Sequence, residues 1–207
     1  MTCHKITYCG GYRHALTRRK AQEFRRHAIG IVYAGKSRHI LIMLPRLLLM
    51  RHAKSSWSDG SLSDHERPLN DRGRRAANAL GAALTARGYA PDIIWSSDAK
   101  RTRETAMHLI RTIPGAQTVN YSEEFYHASA ETVLRVCGQA VEPDKPLMLL
   151  GHNPGWAALH EYFTGHSHDY PTGACTVLTR KENNISDWLN PAAWAFKDLI
   201  LPRELEA

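Results

Sequence analysis

Apolar and polar positions along this chain fall into blocks that predict strands and helices in alternation. Short apolar runs such as Leu47–Met50 and Pro146–Leu150 end abruptly in polar residues, a pattern typical of buried strands. Between Arg74 and Arg87 the apolar residues instead recur three or four positions apart, as they do on one side of a helix. Strands that alternate with helices favour an α/β fold with a mostly parallel sheet covered on both faces.

The pattern predicts six strands and four helices after residue 44. The strands are Leu47–Met50, Pro91–Ser97, Gln117–Tyr121, Pro146–Leu150, Ala174–Thr179 and Trp194–Leu201. The helices are Arg74–Arg87, 98–110, Glu131–Ala140 and Trp156–Phe163. Asn70 or Asp71 is expected to cap the first helix, and Gly88 is expected to end it.

Polar side chains suited to binding an anion follow three of the predicted strands. In chain order they are Arg51-His52 after the first strand, Ser96-Ser97 with Arg101 on the following helix, and His152-Asn153 after Leu150. Ligands of open α/β sheets lie in the crevice outside the carboxyl ends of the strands. One pocket could therefore collect two guanidiniums and two imidazoles, and arginine's planar fork matches phosphate.

Transfer of a phosphoryl group is the chemistry that such a pocket favours, because fixed cationic donors stabilise the charge on three phosphoryl oxygens. His52, beside Arg51, is the predicted nucleophile, since a neutral imidazole can form a covalent intermediate. His152 is expected to act protonated, donating to a phosphoryl oxygen. No cluster of Asp and Glu suggests a magnesium or zinc site, so no metal or cofactor is expected.

Four ordered motifs carry a resemblance to a known family. They are Leu-Leu-Leu-Met-Arg-His-Ala at 47–53, Pro-Leu-Asn-Asp-Arg-Gly at 68–73, Ser-Ser-Asp-Ala-Lys-Arg-Thr-Arg-Glu-Thr-Ala at 96–106 and Leu-Gly-His-Asn-Pro at 150–154. Together they resemble the histidine phosphatase superfamily, which includes the cofactor-dependent phosphoglycerate mutases, over residues 44–180. Because of the Ala after Arg-His, where many members have Gly, and the short chain, the sequence looks most similar to the bacterial phosphohistidine phosphatases of the SixA type. The resemblance implies an α/β/α sandwich without metal, with His52 phosphorylated and Arg51, Arg101 and His152 completing the phosphate pocket.

The acid that many members use to protonate the leaving oxygen has no clear counterpart in this sequence. Glu123 and Glu124 are the candidates, and a solvated surface pair is an equal interpretation. Without an acid, substrates with good leaving groups are favoured, and the imidazole of a phosphohistidine is one.

Several further residues have two interpretations each. His65 and Glu66 could touch substrate or face water; His160, His166 and His168 are expected to be solvated rather than to form a metal cluster. The five tryptophans, Trp57, Trp95, Trp156, Trp188 and Trp194, are expected to pack rather than to serve as stacking platforms. Arg103 is predicted to lie on the surface, because it follows Arg101 by two positions.

Positive charge is concentrated in the first 46 residues, which hold ten Lys or Arg and one acid, whereas the remaining residues hold 17 Lys or Arg and 19 acids. The formal charge of +7 therefore belongs to this N-terminal leader and does not indicate a nucleic-acid-binding face on the rest of the chain.

We predict a basic, disordered extension over 1–43 and a histidine phosphatase domain over 44–207. The leader has no secretory pattern; a transit peptide is one interpretation, and a start at Met43 after an upstream extension is the favoured one.

The spacing of the cysteines and the length of the apolar stretches bear on the compartment and on membrane association. The four cysteines are irregularly spaced and form no disulfide framework, which favours a reducing compartment, predicted to be the cytoplasm. Cys3, His4, Cys9 and His14 match no common zinc spacing. No apolar stretch approaches the ~20 residues of a membrane span.

The leading hypothesis is a metal-independent phosphatase that acts through a phosphohistidine on His52, with a phosphohistidine-bearing protein or a small phosphate ester as substrate. A phosphoglycerate mutase-like phosphotransferase is the second hypothesis, although the short middle segment leaves little room for a substrate cap. The third is a basic polyanion-binding protein with an inert phosphatase-like body. The sequence does not indicate the oligomeric state.

Overall fold

Six strands form one sheet in the order β3-β2-β4-β1-β5-β6, in a computed structural model that describes residues 46–115, 117–140, 145–182 and 187–205. The strands are β1 Arg46–Arg51, β2 Ile93–Ser97, β3 Thr118–Ser122, β4 Leu147–Gly151, β5 Cys175–Arg180 and β6 Trp194–Ile200. Strands β3, β2, β4 and β1 are mutually parallel, β5 is antiparallel to β1, and β6 is antiparallel to β5. The predicted mostly parallel sheet is thus confirmed, with two antiparallel pairings at one side.

In the part of the chain that the structure describes, four α-helices connect the strands. They are α1 Asp71–Ala86, α2 Lys100–Ile110, α3 Ala130–Cys137 and α4 Gly155–Thr164. The described residues also form three single-turn 3₁₀ helices that the sequence pattern did not predict, Glu123–Phe125, Pro191–Ala193 and Pro202–Glu204. Each predicted strand and helix is present, with ends displaced by no more than three residues.

The helices cover both faces of the sheet, as alternate side chains of β1 show. Leu47 and Leu49 pack in a core with Phe125, Trp156 and Leu159, on the side of α3 and α4. The intervening Leu48 and Met50 pack in a second core with residues of α1 and α2, including Leu80, Leu84 and Leu109. Because β1 is buried on both faces, its sequence is a continuous apolar run rather than an alternating one. The predicted three-layer α/β/α sandwich is confirmed.

The start of α1 follows the capping prediction. The side chain of Asn70 accepts a hydrogen bond from the backbone N–H of Gly73 at 2.8 Å, so Asn70 rather than Asp71 is the cap. The helix ends at Ala86, and Gly88 has a φ of 69° that suits a residue without a side chain.

Predictions about the leader, including residues 1–43, the Cys3, His4, Cys9 and His14 set and the apolar run 40–44, lie outside the described residues. Within the described ranges, no helix has the length and apolar character needed to cross a membrane.

Candidate active site

The carboxyl ends of three neighbouring parallel strands open onto one cavity of about 350 Å³. Strand β4 lies between β1 and β2, and Arg51 is paired with Gly151 across the ladder. The backbone N–H of His52 extends this ladder by donating to the carbonyl of Gly151 at 2.9 Å. As a result, the two histidines that follow these strands are neighbours, with ring centroids 5.1 Å apart. All four sequence-predicted site residues, Arg51, His52, Arg101 and His152, line the cavity.

A backbone hydrogen bond holds the ring of His52 in one orientation. Its Nδ1 lies 2.7 Å from the carbonyl oxygen of Ala53, which can only accept, so Nδ1 carries the proton. In the neutral ring the lone pair is then on Nε2. Burial lowers the pKa of His52, the Ala53 hydrogen bond raises it, and the charges of Arg101, Arg51 and Arg67 lower it, so that the pKa is about 3 overall. The imidazole is therefore neutral at pH 7.

His152 differs from the expectation that it is protonated. Burial is the main cause that lowers its pKa, the proximity of the His52 ring and of Arg101 acts in the same direction, and the pKa is about 2 overall. The expectation assumed a bound anion, whereas the cavity on its own is cationic and disfavours a further proton. The Nε2 of His152 lies 2.9 Å from Ser97 Oγ at the end of β2, so the two strand ends are joined by this hydrogen bond. Its Nδ1 is buried and has no hydrogen-bond partner among the described residues.

Three guanidiniums line the cavity, one more than the sequence predicted. Arg101, 2% exposed, reaches in from the first turn of α2. Arg51 donates to the carbonyl of Tyr170 at 2.8 Å, which anchors it against the segment before β5. Arg67 is the addition: it is 6% exposed and its Nη2 donates to Ser55 Oγ at 2.7 Å. This density of positive charge suits a phosphate group.

Asp64, which the sequence did not single out, is a carboxylate in the middle of these cations. It accepts hydrogen bonds from Arg67 at 2.6 Å, Arg101 at 2.9 Å, the Tyr126 hydroxyl at 2.8 Å and His127 at 3.1 Å. Burial raises the pKa of Asp64, but the hydrogen bonds from Tyr126, Arg67 and His127 and the charge of Arg101 outweigh it, so the pKa is lowered overall. Asp64 is therefore an anion that holds Arg67 and Arg101 in place.

The loop that carries Asp64 and Arg67 is attached to the start of α1. The backbone N–H of Asn70 donates to the carbonyl of Lys54 at 3.0 Å, and that of Ser56 donates to Pro68 at 2.8 Å. A side chain on Gly73 would place its Cβ 2.1 Å from the Lys54 carbonyl oxygen. Gly73 is thus required for the close approach of α1 to the residues just after His52.

The loop after β3 contributes His127 to the cavity but not the two candidate acids. Glu124 pairs with Arg135 at 2.8 Å, and both glutamates are exposed and lie outside the cavity lining. His127 lines the cavity and stacks on His152 with ring centroids 5.3 Å apart. The neighbouring Tyr126 also contacts His152, edge to face at 5.5 Å.

His65 and Glu66 support the loop rather than the cavity, since neither belongs to its lining. His65 lies 3.0 Å from Asp98 and 3.1 Å from Glu66, and these hydrogen bonds raise its pKa. Its carbonyl accepts from the N–H of Lys100 at 3.0 Å, which ties the loop to the first turn of α2.

The prediction for Trp57 is wrong. Trp57 is 74% exposed and lines the cavity, and the centroid of its ring lies 3.1 Å from the guanidinium carbon of Arg67. The other tryptophans pack as predicted, with Trp156, Trp188 and Trp194 buried and Trp95 packed against the same core. Arg103 is exposed, also as predicted.

The three other candidate histidines divide into one buried and two exposed residues. His160 is buried, contrary to the expectation of a solvated group, and its Nδ1 lies 2.8 Å from Thr176 Oγ1. His166 and His168 are exposed. In the ranges that the structure describes, no group of three His, Cys, Asp or Glu side chains could hold a metal ion.

The fold and the cavity together define an α/β/α phosphatase. A family model described as histidine phosphatase superfamily (branch 1) matches residues 47–126. An uncharacterized chloroplastic protein of Arabidopsis thaliana is 32% identical over 169 residues, which cover 76% of this chain and 78% of that protein. The chain belongs to the histidine phosphatase superfamily.

Two solved structures are similar along most of their length. One, assigned as a phosphohistidine phosphatase SixA of Agrobacterium tumefaciens, is 30% identical with a TM-score of 0.64, and the match covers 77% of this chain and 99% of that one. Another, assigned as SixA of Nakamurella multipartitia, is 25% identical with a TM-score of 0.62, and the match covers 76% and 96%.

Proposed function

We propose that this phosphatase hydrolyses a phosphorylated substrate through a covalent phosphohistidine on His52, without a metal. The observation that carries the proposal is the orientation of His52: its Nδ1 proton is engaged by Ala53, and a neutral Nε2 is left for attack. Such a nucleophile splits hydrolysis into two easier transfers. The guanidiniums of Arg51, Arg67 and Arg101 neutralise the charge on the phosphoryl oxygens.

His152 supports the same reaction as a hydrogen-bond donor. Its Nδ1 is buried without a partner among the described residues, and an unpaired buried polar atom costs free energy. If the Ser97 hydroxyl donates to Nε2, the proton of a neutral His152 is on Nδ1, where a phosphoryl oxygen could accept it. A bound phosphate dianion also raises the pKa of nearby imidazoles, so the protonated His152 expected from the sequence is proposed for the occupied cavity.

For the substrate we propose the phosphohistidine of a protein, with a small phosphate ester as the alternative within the same chemistry. Two structurally similar proteins that are at least 25% identical are assigned as phosphohistidine phosphatases. Neither Glu123 nor Glu124 lines the cavity, so a carboxylic acid from that pair does not assist a poor leaving group. A screen of phosphohistidine peptides, sugar phosphates and nucleotides decides between the two substrate classes.

The role of residues 1–43 and the location of the protein are further proposals. The described residues that line the cavity all lie between Arg51 and Thr172, which supports catalysis without the leader. A variant that begins at Met43 should keep full phosphatase activity, and loss of activity in a folded variant would contradict this.

Cys137 and Cys175 are buried free thiols, which suits a reducing compartment such as the cytoplasm; imaging of a tagged protein tests that location.

The direct test of the proposed function compares His52→Ala with His166→Ala, which removes an exposed imidazole away from the cavity. Loss of the nucleophile should reduce hydrolysis of p-nitrophenyl phosphate by roughly 10⁴-fold or more, with circular dichroism unchanged. His166→Ala should match the wild type. Hydrolysis by His52→Ala at the wild-type rate would refute the proposal.

A further inference from the structure

His127 is a histidine on the cavity wall that the reaction described above does not use. Its Nε2 lies 3.1 Å from Asp64 Oδ2, and its ring is stacked on His152 at an interplanar angle of 29°. The side chain of His127 is 53% exposed, so it lies where the cavity opens to solvent. Because His52 is 7% exposed and the attacking and leaving groups of a phosphoryl transfer lie roughly in line, we expect the leaving group to depart toward this opening.

The backbone holds His127 in this position through buried neighbours on either side. Phe125 is 1% exposed and packs edge to face on Trp156, and Ala128 is 6% exposed. A side chain on Gly155 would place its Cβ 2.0 Å from the Ala128 carbonyl oxygen, so the loop lies directly on the start of α4. His127 itself has a φ of 50°, which residues with a side chain rarely adopt. A conformation of this kind persists where the surroundings impose it, often at a functional site.

Asp64 gives this imidazole the partner that a proton donor needs. The carboxylate is ionised, because hydrogen bonds from Tyr126 and Arg67 and the charge of Arg101 lower the pKa of Asp64. A carboxylate in contact with one ring nitrogen of an imidazole fixes which nitrogen carries the proton. With Nε2–H directed at Asp64, the proton that can be given away is on Nδ1.

Neighbouring groups are less suited to give a proton to a leaving group. Asp64 is already ionised and surrounded by donors. The hydroxyl of Tyr126 donates to Asp64, and burial together with that carboxylate raises the pKa of Tyr126. Glu123 and Glu124 do not line the cavity.

We propose that His127, positioned by Asp64, is the general acid and base of the phosphatase reaction; this inference rests on the function proposed above. In the first step His52 Nε2 forms a bond to phosphorus, the bond to the leaving group breaks, and the leaving group takes the Nδ1 proton of the His127 imidazolium. In the second step water attacks phosphorus, the bond to His52 breaks, and neutral His127 takes the proton of the water. Phosphate is released, and both histidines return to their starting states.

The test is a leaving-group series measured with His127→Asn, a residue that tolerates a positive φ, and with His127→Gln. The substrates run from p-nitrophenyl phosphate, whose anion leaves without a proton, to phenyl and alkyl phosphates, which need one. The readout is kcat/KM, which reports only the first transfer. We expect a loss of about 100-fold or more on alkyl phosphate, the usual contribution of general acid catalysis, and less than about 5-fold on p-nitrophenyl phosphate.

The outcomes separate the inference from the function on which it rests. A loss of equal size on all substrates, or no loss, would overturn the role of His127, because a merely structural change does not depend on the leaving group. Absence of wild-type hydrolysis, or hydrolysis that survives His52→Ala, would instead overturn the proposed function. His166→Gln, which alters an exposed histidine elsewhere, should keep the wild-type dependence on the leaving group.

Discussion

The cavity has two walls that differ in how they are built. The strand-end wall consists of Arg51, His52, Arg101 and His152, which are positioned by β1, β4 and the first turn of α2. The loop wall consists of Trp57, Asp64, Arg67 and His127, which lie in the segments after β1 and β3. The first wall is cationic and is buried apart from the half-buried Arg51, whereas the second contains a carboxylate and two side chains that are more than half exposed. We infer that the strand-end wall holds the phosphoryl group and that the loop wall handles what departs from it.

The largest expected effect comes from the strand-end wall. Arg101→Lys removes the planar fork that can hold two phosphoryl oxygens at once, and loss of one such donor costs roughly 10²–10³-fold in rate. We expect kcat/KM for p-nitrophenyl phosphate to fall by about that factor, and inorganic phosphate to inhibit more weakly. Arg103→Lys, two positions along the same helix and exposed, is the control and should change neither. Equal losses of kcat/KM in Arg101→Lys and Arg103→Lys would contradict the inference that the strand-end wall holds the phosphoryl group.

A substitution in the loop wall should have the opposite effect on phosphate binding. Asp64→Asn removes a negative charge that faces the same guanidiniums as the phosphate. We expect inorganic phosphate to inhibit about tenfold more strongly, since one like charge near an anion site is worth about 1.4 kcal/mol. Turnover of an alkyl phosphate should fall, because His127 loses its partner.

Asp59→Asn is the control for that comparison, since Asp59 belongs to the same loop and bonds Ser61 rather than the arginines. It should leave both inhibition and turnover at the wild-type level. Weaker inhibition of Asp64→Asn by phosphate would show that Asp64 supports anion binding rather than competing with it.

Burial of the strand-end wall makes stability depend on pH. The pKa of His52 is about 3 and that of His152 about 2, both below the ordinary 6.5. Between pH 6.5 and about 3 the unfolded chain binds a proton at each site that the folded chain does not, so stability falls as pH falls through 6.5. Each histidine contributes about 1.4 kcal/mol per pH unit.

Urea unfolding between pH 5 and 6.5 measures this dependence. His152→Gln should reduce the slope of the unfolding free energy against pH by about one proton, whereas His166→Gln, at an exposed site, should keep the wild-type slope. An unchanged slope in His152→Gln would mean that His152 is protonated in the folded protein.

The smallest effect is expected from the exposed edge of the loop wall. Trp57 lies over the Arg67 guanidinium, and exposed contacts of this type contribute about 0.5–1 kcal/mol. Trp57→Ala should therefore raise KM by about 2–5-fold with little change in kcat, and Trp57→Phe should recover most of the loss. A large fall in kcat would place Trp57 closer to the chemistry than its exposure suggests.

The same two walls separate what the sequence could predict from what it could not. The residues Arg51, His52 and His152 directly follow apolar runs, and parallel strands bring such ends to one edge of a sheet. Local pattern was therefore sufficient for the fold and for the strand-end wall. The protonation of His152 was not accessible in this way, because it depends on burial among neighbouring cations.

The loop wall depends on contacts between residues far apart in the chain. Asp64 meets Tyr126 and His127 across more than 60 positions, and no spacing rule predicts such a pairing. Trp57 is exposed and its ring is stacked on Arg67, whereas tryptophans are most often well buried. A signal for Arg67 was present, since it begins the Arg-Pro-Leu-Asn segment that leads into α1, but its role follows only from the folded loop.

The most direct test of the central claim is detection of the covalent intermediate. The wild-type enzyme, mixed with excess p-nitrophenyl phosphate and quenched in alkali within milliseconds, should gain the mass of one phosphoryl group in intact-protein mass spectrometry. Fragmentation should locate that group on His52, nuclear magnetic resonance should assign it to Nε2, and His52→Ala should gain none. Turnover without an adduct on His52, or an adduct on a different residue, would contradict the account.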